Sequence, residues 1–338
     1  MAGNMSTARQ HPKSSVLSNG KVLITGGYTT GDTYLNSAEL YDPATGTWTI
    51  TGYMNTRRWG HGTSLLKNGK VLVNGGRNGD IYLSSTELYD PATGTWTTAS
   101  SMNIPRSRHT STVLYTGHVL VSGGLNGDIY LNSAELYDPA TGTWRTIEKM
   151  HVARIKHAAS VLSNGKVLVS GGCHHNIGYL NSAELYDPET ENWTNTTNMI
   201  TAREDHTSSV LSNGKVLITG GYTTGDTYLN SAELYDPATR TWTATGNMST
   251  RRWGHGTSLL KNRKVLVNGG RNGNIYLSSA ELYDPATGTW TTAPSMNIAR
   301  SEHTSTVLST GNVLVSGGYV GTEYISSAEL YTYEVENS

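Results

Sequence analysis

The chain of 338 residues has no phenylalanine, one cysteine and only nine prolines. With Cys173 alone, an intrachain disulfide and any multi-cysteine zinc site are excluded. Charge is sparse as well. Asp, Glu, Lys and Arg make up 15 % of the residues, 25 basic against 26 acidic, for a net charge of −1. So even a balance makes no electrostatic case for nucleic acid or an anionic membrane, and neither is expected as a partner. No apolar run approaches the roughly 20 residues that a membrane-spanning helix needs. The opening MAGNMSTARQ has no apolar core region, so no signal peptide is expected on the chain as it stands, and its compartment is left open. A Gly-rich phosphate loop, a catalytic-triad motif and an HExxH zinc motif are all missing. What the chain does have is strand and turn material. It carries 38 Gly, 20 Tyr and 8 Trp, and lacks the Ala, Glu, Lys and Leu blend of helical proteins.

That material is periodic. Gly-Gly occurs at 26, 75, 123, 171, 220, 269 and 317, and Met keeps the same beat at 5, 54, 102, 150, 199, 248 and 296. The repeat units are therefore 5–53, 54–101, 102–149, 150–198, 199–247, 248–295 and 296–338, with no linker between them and one domain over 1–338. Within a unit, an HTSTVL-type segment leads through an Asn-Gly or Thr-Gly turn into KVLIT or HVLVS, a run suited to a strand covered on both faces. SAELY then precedes the turn Asp-Pro-Ala-Thr-Gly, and a TWT segment closes the unit. Four short strands per unit, stacked in a ring, make an all-β, seven-bladed β-propeller.

The double glycine after the second strand, followed by Tyr41, Tyr89, Tyr137, Tyr186, Tyr235, Tyr283 or Tyr331 and then Trp48, Trp96, Trp144, Trp193, Trp242 or Trp290, resembles the kelch-repeat family over essentially the whole chain. The WD propeller is the nearest rival, but no Trp-Asp dipeptide occurs. The resemblance implies a kelch-type propeller, with galactose-oxidase-like propellers as more distant relatives. It does not fix an activity, because one fold hosts many. The seventh unit ends at Ser338, where the Trp would stand, so blade seven is expected to lack a regular outer strand. Either it stops at three strands, or 333–338 improvise a fourth, or the chain is trimmed from a longer one, which is the favoured explanation.

A second periodicity overlies the first. Residues 14–45 return unchanged at 208–239, 194 positions later, and RRWGHGTSLLKN at 57–68 returns at 251–262. Units one to three are near-copies of units five to seven. Six units carry Arg-x-x-His, as in Arg58/His61, and unit one keeps Arg9 with Pro12 at the His position. A ring of imidazoles around the axis could hold a metal or an anion. A feature of every blade more simply serves what every blade needs. One Glu per unit stands in the third strand, so Arg106, Arg154, Arg203, Arg252 and Arg300 are expected to be buried against Glu87, Glu135, Glu184, Glu233 and Glu281 or their equivalents, as scaffold.

Function should then lie where the repeats differ. Strand alternation puts the near-invariant NGK and DPATG turns on one face, and the fourth-to-first and second-to-third connections on the other. The variable face carries Trp59 and Trp253, each after an arginine pair that begins with Arg57 or Arg251, and Arg77, Arg271, Tyr28, Tyr222 and Tyr319 follow the double glycines. Aromatics and Arg are the types enriched at contact surfaces. Cys173 and His175 are weak metal candidates, two ligands being too few for a closed site. No residue matches the copper ligands of the galactose oxidase family, and no cofactor is expected. The reading is a monomeric, non-enzymatic module that engages a protein or peptide, with a glycan less favoured, and an acidic ligand would suit the arginines. The alternative is a small-molecule enzyme, of the galactose-oxidase-like copper oxidase or sugar mutarotase type found among kelch propellers, with its site at the axial mouth.

Overall fold

Each unit folds because its apolar run is too short to bury itself and must be covered by neighbours on both sides. In the computed structural model, which describes residues 2–31 and 33–332, six sheets have four antiparallel strands and a seventh has three. In blade one the strands Lys13–Val16, Val22–Thr25, Ala38–Asp42 and Thr47–Ile50 lie side by side in chain order. The second strand of every blade is buried throughout, as the unbroken apolar run predicts. First strands of successive blades pack against one another around the axis, and the ring closes where the first strand of blade seven, Thr304–Val307, meets that of blade one. Thr306 Oγ1 donates to Ser14 Oγ at 2.9 Å across this junction. The chain is thus an all-β, seven-bladed propeller. Blade seven has three strands among the described residues, the last being Ala328–Tyr331. The expectation about 333–338 lies outside the described residues.

The core is spread between the blades. Leu114, Leu120 and Leu136 of one blade pack with Met150, Val167, Val169 and Tyr186 of the next. Tyr186 and Trp193 meet with ring centroids 5.1 Å apart, and the Trp193 indole donates back to Glu148 O of the previous unit at 2.8 Å. The double glycine allows backbones to touch. Gly172 has φ +92°, and a Cβ there would lie 2.4 Å from Ile155 O, which no side chain could accept.

The repeated arginines are the internal ties. Arg154, fully buried, donates through Nη1 to Gly171 O at 2.7 Å and Ser182 O at 3.1 Å, and through Nη2 to Glu184 at 2.9 Å. The same set recurs at Arg9–Glu39, Arg58–Glu87, Arg106–Glu135, Arg203–Glu233, Arg252–Glu281 and Arg300–Glu329, with ion-pair distances of 2.7–2.9 Å. Each arginine also binds two blades, since Arg203 O accepts from Gly172 N of the preceding blade at 2.8 Å. On the face of the NGK and DPATG turns, Lys21–Asp42 and Lys166–Asp187 pair at 3.1 and 2.8 Å, which accounts for the constancy of those turns.

Candidate functional site

Between each repeated Arg and the position three residues on lie two residues, and the fold gives them different tasks. The first bridges, antiparallel, to the residue that follows the double glycine of the same blade, giving Gln10–Tyr28, Trp59–Arg77, Glu204–Tyr222, Trp253–Arg271 and Ser301–Tyr319 among the seven pairs. Bridged residues project to the same side, so each Trp meets its Arg. The Arg77 guanidinium carbon sits 4.7 Å from the Trp59 ring centre, and that of Arg271 4.2 Å from Trp253. The second residue of each pair turns with positive φ: His11, Gly60, Arg108, Lys156, Asp205, Gly254 and Glu302, at 48–64°. Five of these seven carry a side chain to the axis, where they line a cavity of ≈ 300 Å³ with Trp59, Trp253, Lys13 and four of the repeated histidines. Backbone hydrogen bonds link several neighbours in this ring, such as Arg108 N to Gly60 O at 2.8 Å and Glu302 N to Gly254 O at 2.7 Å.

Aromatic rings form the rim. Tyr28 lies 5.7 Å from Trp59 and 5.4 Å from Tyr324, Tyr319 lies 5.1 Å from Tyr324, and Tyr222 stands 5.2 Å from Tyr228 and 6.4 Å from Trp253. Trp59 is 6 % exposed and Trp253 is half-buried; both indole Nε1 atoms are buried without a partner, as are Nε of Arg77 and Arg271. Arg57 and Arg251 are exposed and line neither the axial cavity nor the pockets at its rim, so the structure does not bring them to the tryptophans.

The charges inside are unevenly matched. Lys156 reaches Glu204 at 3.0 Å and Asp205 at 2.8 Å; burial pulls its pKa down, but Asp205 and Glu204 outweigh it and the net shift is upward. Glu302 is raised to about 7, first by burial and then by Asp205, and it is held by Gln10 Nε2 and, at 3.2 Å, by His11. No carboxylate comes within ion-pair distance of Arg77, Arg108 or Arg271 among the described residues.

Neither metal reading assembles. Among the described residues no three His, Cys, Asp or Glu side chains gather as a metal site requires. The repeated imidazoles are tied back to the preceding blade, His157 Nε2 to Thr110 Oγ1 at 3.2 Å and His109 Nε2 to Asn74 Oδ1 at 2.7 Å, and do not converge. Cys173 is half-buried and its thiol is pushed up by burial and by Glu204, while His175 is exposed beside Tyr130. This donor set does not fit copper. Trp59 and Trp253 were legible as variable aromatic loop residues; His11, Arg108, Lys156, Asp205 and Glu302 were not singled out, although Gly60 and Gly254 at the same register mark the left-handed turn they share.

A model of the KLHDC2/KLHL20/DRC7 kelch-repeats domain matches residues 1–152 and 147–318. Among curated proteins none matches in sequence. Of solved structures, a fungal alcohol oxidase of the AA5 family in complex with copper superposes with TM-score 0.78 at 19 % identity, covering 98 % of this chain and 76 % of its own. YjhT superposes with TM-score 0.67 at 16 % identity, covering 84 % of this chain and 97 % of its own. At such identities the likeness concerns the fold alone.

Proposed function

From the premise that the chain belongs to the KLHDC2/KLHL20/DRC7 kelch-repeats family, we propose that it is a non-enzymatic, monomeric binding module that takes a protein or peptide at the axial mouth of its variable face. Kelch-repeat domains generally mediate protein interactions. The observation that carries the reading is the pair of Trp–Arg stacks, Trp59–Arg77 and Trp253–Arg271, set in a tyrosine rim with the indole Nε1 and the arginine Nε of each stack unpartnered. A stacked guanidinium is held flat and keeps its outer N–H groups for a carboxylate. The cations at the mouth are Lys13, Arg77, Arg108, Lys156 and Arg271, against the carboxylates Glu204, Asp205 and Glu302, so the mouth is positive although the whole chain is not. An acidic segment suits it, with Tyr28, Tyr222 and Tyr319 as rim contacts.

Peptides selected from a random display library on the immobilised protein provide the test. Trp59→Ala and Trp253→Ala should each weaken the selected peptides by roughly 2 kcal/mol or more, as hot-spot anchors do. Thermal stability is followed alongside, since Trp59 also packs against its neighbours and the more exposed Trp253 gives the cleaner comparison. Selected peptides that bind both variants as well as the wild type would remove the mouth as the binding surface.

A further inference from the structure

The internal duplication supplies its own control for the mouth. At an offset of 194 residues most of the aromatic frame recurs: Tyr28 and Tyr222, Tyr34 and Tyr228, Trp59 and Trp253, Arg77 and Arg271, Tyr82 and Tyr276, with Leu125 standing where the second half has Tyr319. The charges around that frame do not. Gln10 becomes Glu204, His11 becomes Asp205, Lys13 becomes Thr207 and Arg108 becomes Glu302, while all of 14–45 is unchanged. The two halves keep much of one frame, and the second carries three carboxylates, Glu204, Asp205 and Glu302, where the first has Gln10, His11 and Arg108.

The contacts follow the exchange. Trp59 bears two guanidiniums, Arg77 at 4.7 Å and Arg108 at 5.0 Å from its ring centre, and neither has a carboxylate within ion-pair distance among the described residues. Two like charges held beside one ring repel each other until an anion enters. Around Trp253 the equivalent of Arg108 is Glu302, whose side chain lies over Gly254 as that of Arg108 lies over Gly60. Arg271 shares its rim pocket with Glu204, and Lys156, 5.8 Å from the Trp253 ring, is taken by Glu204 and Asp205.

We propose that the mouth has a single anion-binding half-site, formed by Trp59, Arg77 and Arg108, and that at its copy around Trp253 the carboxylates Glu204, Asp205 and Glu302 offset the cations without pairing Arg271 directly. The half-site takes a carboxylate or a phosphoryl group between the two guanidiniums. This rests on the mouth being the surface that meets the ligand. The two variants that test it are Arg108→Glu and Glu302→Arg. The backbone accepts both, because each installs the residue that the other copy already carries at φ +56°, while Glu302→Arg also frees Gln10 and His11.

The probes are hexaglutamate and inorganic phosphate at low salt, read on the indole N–H resonances of Trp59 and Trp253 in the full chain. In the wild type, the Trp59 resonance should move with one equivalent bound while that of Trp253 stays. Arg108→Glu should weaken binding at least tenfold, and Glu302→Arg should bring the Trp253 resonance into the response with a second equivalent. Equal movement of both resonances in the wild type, unchanged affinity in Arg108→Glu, or no response to either probe would overturn the one-sided site. Phosphate moving Trp59 where hexaglutamate does not would uphold the anion site and remove the peptide reading. Hexaglutamate moving both tryptophans equally would do the reverse.

Discussion

Between pH 7 and pH 5 the propeller is expected to lose stability. Six histidines of the repeat, His61, His109, His157, His206, His255 and His303, sit between blades, the first five buried and His303 half-buried. Burial first, and then the guanidinium three residues earlier in the chain, hold each imidazole neutral. For His206 and His303 the pKa falls to about 3, against about 6.5 in an unfolded chain. Below 6.5 the unfolded chain takes up protons that the folded one refuses, so each of these two withdraws about 2 kcal/mol by pH 5. The other four act with the same sign. Glu302 runs the opposite way, since a carboxyl raised to about 7 favours the folded state at low pH and loses that preference as pH rises to 7. Glu204, also raised by burial, runs the same way, and His11, lowered to about 3, joins the imidazoles, so two carboxyls stand against seven histidines. Urea midpoints at pH 7, 6 and 5 should fall in that order, and equal midpoints at 7 and 5 would mean that these rings are protonated in place.

Arg154→Ala should cost about 3–5 kcal/mol, because removing one partner strands the other in the interior. Glu184 has no solvent exposure and also accepts from His151 N at 2.8 Å and Val152 N at 3.1 Å. Burial alone would raise its pKa, yet the donors from His151 and Arg154 hold it below the ordinary carboxylate value. Without the guanidinium, the carboxylate and the carbonyls of Gly171 and Ser182 lose their donor together. Replacing both partners, as in Arg154→Met with Glu184→Leu, should recover part of the loss, since the charge is then gone too. Denaturant unfolding reads both variants, and a fully stable Arg154→Ala would refute the tie. The axial mouth should be unaffected, because Arg154 does not line it.

The scaffold was legible because its requirements recur. A double glycine where a Cβ would strike a carbonyl, and an apolar run covered on both faces, have to be written into every blade, and repetition makes them visible. The mouth was legible only in part. Trp59 and Trp253 stand out by type, whereas Arg108, Lys156, Asp205 and Glu302 look like ordinary solvated residues in a loop. What turns them to the axis is positive φ, a backbone property that a charged side chain does not announce. Arg57 and Arg251 were misleading for a related reason. Their proximity to the tryptophans in sequence says nothing of direction, and the chain leaves them in solvent.

The identity of 14–45 with 208–239 reaches past the native state. During folding, the sheet that becomes blade one and the sheet that becomes blade five offer the rest of the chain the same strands and the same edges. Local sequence cannot tell the two apart, and the correct circular order is selected by what lies beside them, Thr304–Val307 of blade seven in one case and Ala158–Val161 of blade four in the other. A ring begun at the wrong copy satisfies most of its contacts before the error is felt. Two molecules can equally exchange halves, each completing the other's ring with an identical piece, which is the low-cost route to a swapped dimer. The repetition that makes this architecture easy to build from a short vocabulary therefore makes its assembly kinetically ambiguous, and favours the dilute chain over the crowded one.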